Sequence, residues 1–269
     1  KVAMPNKIDL GNGIELYFED YGKGDAILFI PGLTCTTEFF EHNLETLSDR
    51  NRIICYDPRS QGNSTITEIG NNFAQRGRDL AAFIDVLDLN NIVIAGWSLG
   101  AYDAYSYFRQ FGLDKVKAFI NIDMCPKTIQ IDDDDWAEGT MEVVHGMYSS
   151  ILDTEQPHFF ESYAHYMIIR DATDEEVEWV VSQSKKTPAI IAAQIVADAS
   201  YCDFSDIALK IANEIPVMHY IKQDWSETAI KWLDKNTPDV KKEVMPGHMM
   251  FWEEPEVFNA KFREFINTI

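Results

Sequence analysis

Short, uninterrupted apolar runs recur along the chain: AILFI (26–30), RIICYD (52–57), NIVIAG (91–96), VKAFINID (116–123), IPVMHYI (215–221) and VKKEVM (240–245). Most are β-branched and continuously apolar, as strands buried on both faces must be. Between them apolar residues fall at helical spacing, most clearly in GRDLAAFIDVLDL (77–89) and AYDAYSYFRQFG (101–112), the latter closing on Gly112 as a helix stop. Strands alternating with helices predict right-handed crossovers and a mostly parallel central sheet with helices on both faces, an α/β fold. Ahead of these, KIDLGNGIELYFEDYG (7–22) alternates around Asn12-Gly13 and predicts an antiparallel pair at a sheet edge. The closing EEPEVFNAKFREFINTI predicts a last helix with Pro255 in its first turn. Val257, Phe258, Phe262, Phe265 and Ile266 are expected on its apolar face.

From 125 to 213 the alternation stops and helix follows helix, with no strong strand. This stretch reads as a helical insertion into a core made of 1–124 and 214–269. Trp136, Met141, Val144, Met147, Tyr148, Ile151 and Phe159 fall near helical spacing within it. Packing on the main domain is the expected role for most of them, ahead of ligand contact.

Composition narrows the partners. With 23 Lys plus Arg against 44 Asp plus Glu, the formal charge of −21 repels phosphate backbones and anionic membranes, so no nucleic-acid or membrane partner is expected. The acidic run Asp132 to Asp135 lacks the Gly and closing Glu of a calcium loop and reads as a solvated face. Cys35, Cys55, Cys125 and Cys202 are far apart, without C-x-x-C spacing, and read as free thiols with neither metal nor disulfide. No basic segment leading an apolar stretch opens the chain, and no run approaches the roughly 20 apolar residues of a membrane helix. A cytoplasmic location is the expectation.

The chemistry centres on Gly96-Trp97-Ser98-Leu99-Gly100, a G-x-S-x-G pattern placed after a strand and before a helix. A sharp strand-to-helix turn brings two backbones together, so residues two either side of its apex must be small while the apex side chain projects outward. That makes Ser98 the candidate nucleophile. A serine hydroxyl needs a base. Of six histidines, His248 in VMPGHMMFWEEP lies in a Pro-Gly turn between the last strand and last helix, at the carboxyl ends of the strands, where parallel sheets put their sites. His42, His145, His158, His165 and His219 read as surface or core residues. The base needs an acid to hold its tautomer. Asp123, ending VKAFINID, is favoured, with Asp224 in HYIKQDWSE as the alternative acid. Oxyanion donors are expected from the amide of Leu99, opening the elbow helix, and of Leu33 in the PGLT loop after AILFI.

Together FIPGLT, YDPRSQGNS (56–64), GWSLG and PGHMMFWEEP resemble the alpha/beta-hydrolase superfamily, over essentially the whole chain. The resemblance implies the alpha/beta-hydrolase fold with a helical cap, and no cofactor or metal. Two positions depart from the family's pattern: Pro31-Gly32 stands for a frequent His-Gly, and Ser60 for a common glycine. Many members place the acid after the strand matching IPVMHYI; some, including certain haloalkane dehalogenases and cofactor-free ring-cleaving dioxygenases, place it one strand earlier, as Asp123 would be. Ser98 excludes the aspartate nucleophile of the dehalogenases, and Trp97 stands where those dioxygenases typically have histidine. The function expected is hydrolysis of a small to medium, largely apolar carboxylic ester through an acyl-enzyme at Ser98. The alternatives are a cofactor-free oxygenase, lyase or perhydrolase, and a non-catalytic ligand receptor on the same scaffold.

Overall fold

The computed structural model describes residues 6–155 and 158–269. Ten strands are present among them: β1 (Asn6–Asp9), β2 (Glu15–Tyr21), β3 (Ala26–Ile30), β4 (Arg52–Tyr56), β5 (Ile92–Trp97), β6 (Val116–Ile122), β7 (Lys127–Ile129), β8 (Ala137–Gly139), β9 (Val217–Lys222) and β10 (Lys241–Met245). Eight form one sheet in the order β1-β2-β4-β3-β5-β6-β9-β10. Only β1–β2 and β2–β4 pair antiparallel; every other neighbour is parallel. The opening hairpin turns at Asn12 and Gly13, whose φ values of 58° and 75° are those Asn-Gly tolerates, and β1 forms the sheet edge.

Alternate residues of the central strands enter two separate cores. Leu28, Ile30, Ile54 and Ile94 face helices Phe73–Val86 and Gly100–Phe111, while Ile27, Phe29, Ile53 and Val93 face Phe39, Phe40, Phe258 and Phe262. Burial on both sides is why these strands read as unbroken apolar runs rather than alternating ones. The final helix Pro255–Asn267 buries Phe258, Phe262 and Phe265 at i, i+4, i+7. Val257 departs from expectation: it is 49% exposed, because it lies off that stripe.

Among the described residues, five helices lie between β6 and β9: Met141–Ile151, Phe159–Met167, Asp174–Ser184, Ala189–Ser200 and Ser205–Ala212. The stretch also holds the parallel pair β7–β8, three residues each and too short to show as a strand period.

A buried ion pair ties together two helices on one face of the sheet. Arg76 Nε lies 3.0 Å from Asp103 Oδ1, both side chains almost fully buried, and joins helix Phe73–Val86 to helix Gly100–Phe111. Removing one member strands a charge away from water. Asp103→Ala is expected to lower unfolding free energy by about 3–5 kcal/mol in urea titration. A loss below about 1 kcal/mol would show that Arg76 finds another partner.

Candidate active site

The elbow is built by steric exclusion. A Cβ on Gly96 would sit 2.7 Å from Ala101 Cα, and one on Gly100 would sit 2.3 Å from Ile30 O, so neither position accepts a side chain. Between them Ser98 adopts a left-handed φ of 55°, and its amide donates to Ile122 O at 3.0 Å, pinning the turn to β6. The helix starts at once, with Ala101 N donating to Ser98 O at 2.9 Å. Trp97, opposite in the strand's alternation, packs against Phe40 and Phe251, and its Nε1 donates to His248 O at 3.1 Å. The residue beside the serine thus holds the histidine loop, a role its place in the motif did not signal.

Asp123 follows β6 with φ 57°, a conformation that aspartate tolerates better than most residues. Asn121 closes that turn: its side chain accepts from Met124 N and donates to Met124 O, both at 2.9 Å. The carboxylate is fully buried and takes three donors. Oδ2 lies 2.5 Å from His248 Nδ1, while Oδ1 accepts from Lys222 N and Trp225 Nε1, each at 2.8 Å. Asp224 lies elsewhere: its side chain is 74% exposed and sits 3.5 Å from Lys222 Nζ. The structure therefore brings Asp123, and not Asp224, to His248, because Asp224 falls in a 3-10 turn that carries its side chain outward.

Ser98, His248, Leu33 and Leu99 line one cavity of about 410 Å³. The Leu33 loop passes directly beside the serine, since a Cβ on Gly32 would lie 3.0 Å from Ser98 Cβ. A polar relay steadies that loop. Gln61 Nε2 donates to Gly32 O at 2.8 Å and Cys35 O at 2.9 Å, and Gln61 Oε1 accepts from Arg76 Nη1 at 2.8 Å. Ser60, where the family commonly has glycine, has φ 64° and so keeps a glycine-like turn. Asp57 accepts from Thr37 N and Asn63 N, while burial pushes its carboxyl up to about 7.

Much of the remaining wall comes from the helices after β6. Val144, Met147 and Phe159, expected mainly as packing residues, line the cavity, whereas Met141 is exposed and Trp136 is buried against His219 and Trp225. Glu138, Tyr166 and Lys222 also reach the cavity, and sequence reasoning did not single them out. Burial raises the Glu138 pKa, opposed by the charges of His248 and Lys222, and burial likewise raises that of Tyr166. A signal existed for Lys222, a cation at the carboxyl end of a core strand, where parallel sheets place their sites. Glu138 was hidden beside the acidic run. His219 is buried within β9, while His145, His158 and His165 are exposed. All four cysteines are free thiols. Among the described residues no cluster of His, Cys, Asp and Glu could hold a metal, and no helix is long and apolar enough to cross a membrane.

The sequence matches the alpha/beta hydrolase family over residues 27–261. The chain belongs to this family. A non-heme chloroperoxidase of Kitasatospora aureofaciens is 24% identical over 154 residues, 57% of this chain and 56% of the relative. The 2-(acetamidomethylene)succinate hydrolase of Mesorhizobium japonicum is 31% identical over 123 residues, 46% of this chain and 44% of the relative. The chain spans about half the length of the curated relatives it matches. Among solved structures, an esterase from Exiguobacterium antarcticum superposes with a TM-score of 0.89 at 21% identity, covering 98% of this chain and all of the other, a likeness of fold. The elbow leaves no room at its glycines. Gly100→Ala is expected to yield little soluble protein, or a melting temperature lower by at least about 10 °C, since the new methyl must displace the Ile30 carbonyl. Unchanged melting would contradict the steric account.

Proposed function

We propose that the protein is a serine hydrolase acting on small to medium, largely apolar carboxylic esters. The observation that carries this reading is the 2.5 Å contact of His248 with Asp123, made where His248 and Ser98 line the same cavity. In this reading Ser98 Oγ attacks the ester carbonyl while His248 Nε2 takes its proton, and Asp123 holds the Nδ1 proton and stabilises the imidazolium. The amides of Leu33 and Leu99 receive the developing oxyanion. Collapse of the tetrahedral intermediate expels the alcohol, which takes the proton from His248 and leaves an acyl group on Ser98. Water, activated by His248, then releases the acid. Residues 125–213 act as a cap whose apolar side chains, Val144, Met147 and Phe159, receive the substrate's hydrocarbon.

A second reading shares these residues and replaces water with hydrogen peroxide as the acceptor. It is favoured by the names of relatives, the chloroperoxidase above and a bifunctional esterase/perhydrolase of Acinetobacter calcoaceticus, 25% identical over 118 residues. Peracid formation from an ester in peroxide separates the two.

Treatment with a fluorophosphonate is expected to add one label, located on Ser98 by intact mass and peptide mapping, and absent in Ser98→Ala. Asp123→Ala is expected to lower kcat on a p-nitrophenyl ester by about four orders of magnitude, and Asp224→Ala by less than about tenfold. A label that persists in Ser98→Ala, or the opposite ranking of the two aspartates, would refute the reading.

A further inference from the structure

Much of the cavity wall is apolar, but the end beside His248 is not. Lys222, the last residue of β9, lines the cavity and is 6% exposed. An ammonium in such a wall is costly unless its charge is met. Its Nζ donates to Tyr166 Oη at 2.6 Å and lies 4.5 and 4.4 Å from the Tyr166 and Trp225 ring centroids. Its ion-pair partner Asp224 Oδ1, at 3.5 Å, is longer than a charged hydrogen bond and stands in solvent, where the attraction is screened. A neutral phenol and two ring faces therefore hold this cation without neutralising it.

The location is also specific. The Tyr166 ring lies 5.3 Å from the His248 ring, which puts the Lys222–Tyr166 pair at the reacting end of the cavity. Because Tyr166 Oη accepts from Nζ, its own proton remains to be donated, and the ammonium has donors beyond the one on Tyr166. Two donors, one charged, thus converge at that end. Of the carboxyls nearby, Asp123 is already held by three donors, and Asp224 faces solvent. Glu138, with Cys125 Sγ 3.9 Å from its Oε1, lines the same cavity; burial raises its pKa, and the charges of His248 and Lys222 oppose that rise.

We propose that Lys222, together with Tyr166, binds a carboxylate carried by the substrate, so that the preferred esters are half-esters of short dicarboxylic acids. The proposal rests on the hydrolase reading and adds a substrate class to it. An apolar chain lies along the cap while the second carboxylate is fixed beside His248.

The test compares mono-p-nitrophenyl glutarate, neutral p-nitrophenyl butyrate and cationic p-nitrophenyl γ-aminobutyrate. The wild type is expected to favour the glutarate ester in kcat/KM by at least about tenfold. Lys222→Met should cut the anionic-to-neutral ratio by about tenfold, mainly through KM, and Lys222→Arg should recover part of it. Calorimetric titration of glutarate into Ser98→Ala gives a readout free of turnover, with binding expected and lost on adding Lys222→Met. A neutral preference unmoved by Lys222→Met would overturn the proposal. So would a preference for the cationic ester that Glu138→Gln removes. If no ester is turned over and no fluorophosphonate adduct forms, the hydrolase reading fails. In that case Lys222-dependent glutarate binding would still uphold the carboxylate site, and absent binding would overturn it.

Discussion

Three hydrogen bonds converge on the carboxylate of Asp123, and they tie the end of β6 to two other parts of the chain. His248 reaches it from the loop after β10, the Lys222 amide from the end of β9, and Trp225 from the 3-10 turn that follows. A buried carboxylate is tolerated only when its oxygens are satisfied, so this convergence sets the relative positions of the three segments. It also aims the imidazole. Trp97 holds the same loop from the other side, through the His248 carbonyl, so the histidine is fixed at both its ring and its backbone.

The serine side depends on close approach of backbone rather than on charge. Gly32, Gly96 and Gly100 occupy points where a methyl group would meet Ser98, Ala101 and Ile30. The Leu33 loop is kept there by Gln61, which is itself held by Arg76 and, through it, by Asp103 on the elbow helix. The elbow and the loop beside it are therefore braced by one buried polar relay. Such relays are rigid when fully paired and costly when broken. That is why a residue as far from the chemistry as Asp103 bears on the site.

The sheet was legible because its strands are buried on both faces, and runs such as AILFI and NIVIAG have no other simple explanation. The elbow was legible for a related reason: its glycines answer a steric demand that is local in sequence. Asp123 could be preferred but not separated from Asp224, because the choice depends on how a turn after β9 directs one side chain. The stretch 125–213 was read as helical, yet helical spacing alone did not tell Val144, which faces the cavity, from Met141, which faces solvent. Gln61, Glu138, Tyr166 and Lys222 were not singled out because their roles arise from contacts between segments far apart in the chain. Val257 shows the same limit within one helix, where an apolar residue beside the stripe stays exposed.

The most direct measurement is a proton NMR spectrum of the ring-15N-histidine-labelled protein, recorded for the wild type, Asp123→Asn and Asp224→Asn. The short His248–Asp123 contact predicts one Nδ1 proton resonance far downfield of the amide envelope, lost in Asp123→Asn and retained in Asp224→Asn. A downfield resonance that survives Asp123→Asn and vanishes in Asp224→Asn would contradict the account.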